Sequence, residues 1–137
     1  MDAVLQSFIT GFPTLISHFA ITTAMLAVGV VAYVWITPHR EFRLIREGNV
    51  AAAVSLSGAI LGIGFPLAVC MANSVRAEEI LIWGALTLVI QLVAFKATDL
   101  IFRGLPQRIE AGEVGPALVL VAVKLAVAAI NAAAVSG

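Results

Sequence analysis

Lys124 stands inside an otherwise apolar run, Pro116 to Ser136, with Asn131 two turns further on. At ~3.6 residues per turn the two share one helical face, which gives the stripe Ala117, Val121, Lys124, Ala128, Asn131. A second apolar run, Ile80 to Phe102, carries Gln91 in its interior and Lys96, Asp99 and Arg103 on one face near its end. A charge at the middle of a bilayer costs at least ~2.5–3.5 kcal/mol, so Lys124 calls for a carboxylate or a wet path. Helical side chains lean toward their own N-terminus, so Asp99 and Lys124 lean toward one another if the two runs are antiparallel. Their Cα levels differ by about 9 Å at ~1.5 Å per residue, a gap that two converging side chains close, with Lys96 and Arg103 competing for the same carboxylate. Two kinds of chemistry fit. One is a buried ion pair that fixes helix register. The other is a path for an ion or small solute, lined by Lys124, Asn131 and Gln91. No second carboxylate is expected within the membrane, which weighs against a relay of several acids.

The other reactive residues read more plainly. His18 has one amide neighbour at its depth, Asn131, and is expected to be a hydrogen-bonded packing residue rather than a metal or haem ligand. Cys70 is the only cysteine, which excludes an intramolecular disulfide and a cysteine-based metal cluster. Ser17, Thr22, Thr23 and Ser57 are of the kind that bond back to helix carbonyls. Nucleophile–base pairs, Gly-rich phosphate loops and metal motifs are missing from the sequence, so neither catalysis nor a cofactor is expected.

The elements that position these residues follow from composition. The chain has 137 residues, 61% hydrophobic and 12% charged, with no net charge, and its mean hydropathy is +1.07. Soluble domains run at ~45–50% apolar and ~25% charged, which excludes a water-soluble globule and a disordered chain. The charge balance gives no reason to expect a nucleic-acid partner. Four stretches reach the ~20 residues needed to cross a bilayer as helix: Pro13 to Ile36, Val50 to Ala72, Ile80 to Phe102 and Pro116 to Ser136. The reading is an all-α integral membrane protein, one four-helix domain over residues 1–137. Pro13 suits a first helical turn, with residues 2–12 either an interfacial lead-in or an extension of the first span.

Arg40, Arg43 and Arg46 fall in the loop 37–49 and Arg103 and Arg108 in the loop 103–115, against Arg76 on the opposite side. The positive-inside rule then puts both basic loops in the cytoplasm of a bacterial inner membrane and both termini in the periplasm, with Tyr33 and Trp35 at the inner interface and Trp83 at the outer. His39 lies at headgroup level. Ile45, Gly48, Val50 and Ala53 recur at a constant offset as Ile109, Gly112, Val114 and Ala117. This suggests two tandem hairpins, one about 13–72 and the other about 80–136, and parallel rather than inverted repeats. Each connector reads as a short surface helix, Phe42 and Ile45 sharing a face in the first, ended by Gly48 or Gly112 in left-handed geometry. Ala51, Ser55, Gly58, Gly62 and Pro66 form a small-residue stripe, a packing face within the bundle or between copies. Pro66 is expected to kink its helix.

The run Ile36-Thr-Pro-His39, Glu41-Phe42, Leu44-Ile45, Asn49, Ala51-Ala52, Ser57-Gly58, Leu61-Gly62 and Pro66-Leu67 resembles the signature stretch of the YjfL-like bacterial inner-membrane family, which carries domain of unknown function 350. Trp83-Gly84, Leu88 to Leu92 and Asn131-Ala132-Ala133 extend the similarity along nearly the whole chain after residue 13. The resemblance implies a four-helix inner-membrane protein with the domain as a tandem pair. It supplies neither reaction nor ligand. Some relatives are encoded beside phage-shock-protein-A-like membrane-stress proteins, which implies a role in envelope stress or membrane maintenance. Lys124 and Asp99 are not part of that stretch. The leading expectation is a non-enzymatic homo-oligomer in the lipid bilayer whose basic loop (Arg40, Arg43, Arg46) engages a cytoplasmic membrane-associated protein. The alternative is a small channel or transporter using the Lys124, Asn131 and Gln91 seam.

Overall fold

The computed structural model describes residues 1–37, 41–102 and 104–136. The expectations placed on Pro38, His39, Arg40 and Arg103 lie outside the described residues. Six helices follow in order: α1 (Asp2–Ile36), α2 (Glu41–Arg46), α3 (Val50–Ala72), α4 (Ala77–Ile101), α5 (Leu105–Glu110) and α6 (Val114–Ser136). Among the described residues, α1, α3, α4 and α6 are long and apolar enough to cross a membrane. In hydrocarbon a helix satisfies its backbone within its own segment, which is why so apolar a chain takes this form. One end of the bundle holds α2 and α5 (the connector end). The other holds the termini and the α3–α4 turn.

The two connectors close in the same way. Gly48 and Gly112 have φ of +87° and +88°. In the first, Gly48 N–H donates to Ile45 O and Asn49 N–H to Leu44 O; in the second, Gly112 N–H donates to Ile109 O and Glu113 N–H to Arg108 O. These are the paired bonds of a Schellman stop, which needs a left-handed residue that glycine supplies without a Cβ penalty. Asn49 then joins the two connectors. Its Oδ1 accepts from Ala52 N–H and caps α3, while its Nδ2 donates to the last carbonyls of α5, those of Ile109 and Glu110. A single side chain thus satisfies one helix's orphan donor and another's orphan acceptors.

Three details differ from the sequence reading. Pro13 lies deep inside α1 rather than in its first turn, because residues 2–12 extend the first span, the second of the two readings given for them. In α2 the inward residues are Glu41 and, partly, Leu44 and Ile45, while Phe42 faces out, since Glu41 and Ile45, four apart, take the buried face. Thr22 Oγ1 has no hydrogen-bond partner among the described residues, whereas Ser57 bonds back to Ala53 O. Through Pro66, α3 stays helical as far as Ala72.

Ala51, Ser55, Gly58, Gly62 and Pro66 are all buried inside the chain. A Cβ built on Gly58 would stand 2.5 Å from Val121 Cγ2 of α6, and one on Gly62 would stand 2.8 Å from Phe95 Cζ of α4. The stripe therefore seats α3 against α6 and α4 and offers no face to a second copy. Tyr33, Leu56, Ala59, Ile63, Leu67, Leu88 and Phe95 make the main apolar core, and Ala51, Ala52, Ile109, Ala117 and Leu120 a second one at the connector end.

Candidate functional site: a polar seam through the bundle

Lys124, on the interior face of α6, is 2% exposed. Its Nζ lies 3.3 Å from Asp99 Oδ1 and donates to Tyr33 Oη at 3.0 Å. It also rests over two ring faces, 4.9 Å from the Tyr33 centroid and 5.4 Å from that of Phe95. Tyr33 O–H donates in turn to Glu41 Oε1 at 3.2 Å, and Ser55 Oγ donates to the same oxygen at 3.1 Å. Five elements therefore meet in one buried group, α1 through Tyr33, α2 through Glu41, α3 through Ser55, α4 through Asp99 and α6 through Lys124. Burying an ion costs several kcal/mol unless a partner and further hydrogen bonds compensate; Lys124 and Asp99 pair with one another, and Tyr33 and Ser55 donate to Glu41.

Glu41 bears on one expectation. A second carboxylate does lie buried inside the protein, 0% exposed, on the connector that the sequence reading gave as a short surface helix. Tyr33 likewise faces the core rather than an interfacial belt. Polarity alone hides both, because an aromatic and an acid near a predicted helix end usually sit among headgroups. The available signal was Glu41's place in the stretch resembling the YjfL-like family.

A second polar layer lies nearer the termini. Asn131 Nδ2 donates to Thr87 O at 3.2 Å and to Gln91 Oε1 at 3.0 Å. Gln91 is 1% exposed, and its Nε2 has no hydrogen-bond partner among the described residues. Asn131 and Thr87 also line a cavity of about 440 Å³ with Cys70, Ser74, Glu79 and Trp83. Lys96 stands apart from the seam and donates to the last carbonyl of α1, that of Ile36, at 3.3 Å. His18 is partly buried on α1. At the connector surface Arg43 pairs with Glu47 and Arg108 with Glu113, while Arg46 is exposed.

Four apolar helices around a buried polar seam define a multi-pass helical membrane protein. The chain matches the Domain of Unknown Function DUF350 over residues 7–135, and it belongs to that family. It is similar to the "UPF0719 inner membrane protein YjfL" of Escherichia coli K12, at 37% identity over 93 residues, 68% of this chain and 70% of the relative. The protein of the same name from Escherichia coli O157:H7 matches equally. No solved structure matches the chain. Four apolar spans and the name of these relatives make this a multi-pass inner-membrane protein of a family of unknown function.

Proposed function

We propose that this protein is a small channel or transporter for an ion or small solute, with Lys124, Asn131 and Gln91 on its path. The observation that carries the reading is the run of buried polar groups from the cavity at the terminal end, through Asn131 and Gln91, to the Lys124 group at the connector end. Intramembrane ionisable residues facing a bundle interior are most often part of a path or relay. In the orientation set by the basic loops, the cavity opens to the periplasm and Glu41 lies on the cytoplasmic side. The two like connectors favour a tandem pair of hairpins enclosing the seam between them. Flux measured in liposomes is expected to change on Lys124→Ala and again on Lys124→Glu; flux unaltered by both removes the seam from the function.

A second reading, a homo-oligomeric membrane component, is favoured by α1. Of its 35 residues, Gly29 and Tyr33 are buried in the chain, and Phe8, Phe12 and Phe19 face outward. A larger particle in detergent than one chain accounts for supports this reading, and a strict monomer sinks it. Engagement of a cytoplasmic partner, in envelope stress or membrane maintenance, draws on Arg46, since Arg43 already has an acid beside it. Charge reversal at Arg40, Arg43 and Arg46 is expected to remove a co-purifying cytoplasmic protein; an unchanged pull-down ends this reading.

A further inference from the structure

We propose that the species moved is the proton, and that the Phe95 ring is the gate between two half-paths. This rests on the transport reading above and names its substrate. The seam is layered. On α4 the residues Thr87, Gln91, Phe95 and Asp99 are spaced four apart and so fall along one side of the helix. Thr87 and Gln91 meet Asn131 in one polar layer. Asp99 meets Lys124 in the other. Between them lies a single apolar layer. There the Phe95 ring, 0% exposed, fills the space left by Gly62. Ala128 of α6 borders the same space, 3.8 Å from where a Gly62 Cβ would stand. Phe95 also meets Tyr33 edge-on at 5.6 Å. A hydrophobic constriction one ring thick is a barrier that opens by wetting.

Past that ring the groups are ordered for proton transfer rather than for passage of an ion. Asp99, Lys124, Tyr33, Glu41 and Ser55 form a series in which each group lies 3.0–3.3 Å from the next, too closely to admit a hydrated ion between neighbours. Their donors point in one sense: Lys124 N–H to Tyr33 oxygen, then Tyr33 O–H to Glu41. In one transfer a Lys124 N–H bond breaks and the Tyr33 oxygen takes that proton while releasing its own to Glu41 Oε1. Lys124 is left a neutral amine, Tyr33 is unchanged and Glu41 becomes a carboxylic acid. Hydronium from the cavity side, admitted when the Phe95 ring swings away, restores the ammonium and leaves water. Glu41 then gives its proton to water entering at the connector end, which leaves hydronium there and restores the carboxylate. Asp99 Oδ1, 3.3 Å from Lys124 Nζ, is the counter-charge of the restored ammonium. The titratable groups in contact with Lys124 among the described residues are Tyr33 of α1 and Asp99 of α4, with Glu41 of α2 one hydrogen bond beyond.

The test uses the full chain in liposomes holding a trapped pH indicator, with a potassium diffusion potential drawing protons inward. Sodium and chloride entry are followed in parallel. Wild type is expected to admit protons faster than protein-free vesicles. Phe95→Ala is expected to raise that rate at least about tenfold by letting water into the apolar layer. Phe95→Leu keeps an apolar plug and is expected to stay near wild type. Tyr33→Phe retains the ring but removes the relaying hydroxyl, and is expected to return both wild type and Phe95→Ala to the vesicle background. Each variant is first checked for native helicity and monodisperse elution. Proton entry in Phe95→Ala no faster than in empty vesicles overturns the proposal, as does entry undiminished by Tyr33→Phe. Sodium or chloride flux that depends on Lys124, without proton flux, overturns the proton assignment and leaves the transport reading standing. No flux of any kind overturns both.

Discussion

At the scale of single residues, the Lys124 group shows how a membrane protein holds a charge that its solvent rejects. Removing one member of a buried pair leaves the other uncompensated, so Lys124→Met is expected to destabilise the bundle by about 3–5 kcal/mol. The double variant Lys124→Met with Asp99→Leu is expected to lose much less, because no orphan charge remains. Unfolding in mixed micelles, set out as a double-mutant cycle, measures both. Much of this pair was legible in the sequence, since the direction in which each side chain leans along its helix brings Asp99 and Lys124 to one level. Tyr33 and Glu41 were not. Their joining is a tertiary contact between α1 and the first residue of α2, which lies buried in the protein, and the hydropathy pattern does not record it.

At the scale of elements, glycine does two unrelated jobs. Gly58 and Gly62 are contact residues: Gly58→Val would drive a branched side chain into Val121, with an expected cost of ~1–3 kcal/mol from overpacking. Val121→Ala should restore part of that loss in a thermal melt, because it vacates the same space. Gly48 and Gly112 have open space around the missing Cβ but positive φ. Gly48→Ala and Gly112→Ala are therefore each expected to cost roughly 1–2 kcal/mol from backbone conformation alone. Equal losses at the two positions would show that the connectors bear the same strain. The stripe was legible as a packing face because small residues recur at helical spacing, but its partner was not. Whether a flat helix face meets its own chain or a copy depends on where α6 lies, and the pattern within α3 says nothing of that.

The second connector also responds to acid. Hydrogen bonds from Arg108 hold the Glu113 carboxyl below its usual value of 4.5. A carboxyl lowered in the folded state adds stability above that ordinary value and loses it as pH falls through the lowered one. The melting difference between wild type and Glu113→Gln is therefore expected to be present near neutrality and to vanish in acid. It should be small, since both groups are exposed and surface pairs of this kind contribute little.

At the scale of the whole molecule, α1 is out of proportion to its neighbours. Its 35 residues extend about 52 Å at ~1.5 Å per residue, against a hydrocarbon layer of ~30 Å. None of residues 2–12 is buried, so their deletion is expected to leave bundle stability unchanged within about 0.5 kcal/mol. If α1 joins copies, the same deletion shrinks the particle seen in detergent while the melt stays put. Four spans were plain from composition because the bilayer sets their length. The reach of α1 was not, since an apolar segment beyond the membrane looks the same in sequence as one inside it. The order of the seam along the chain has a further consequence, for biogenesis. Tyr33, Glu41, Ser55 and Asp99 all leave the ribosome before Lys124, so the last helix enters a membrane in which its counter-charge is already in place. Until it arrives, Asp99 lacks that cation. A chain cut short after residue 113 should therefore be cleared by membrane proteases faster than one that includes α6 in a pulse–chase, making α6 the step at which the cell distinguishes a paired seam from an unpaired one.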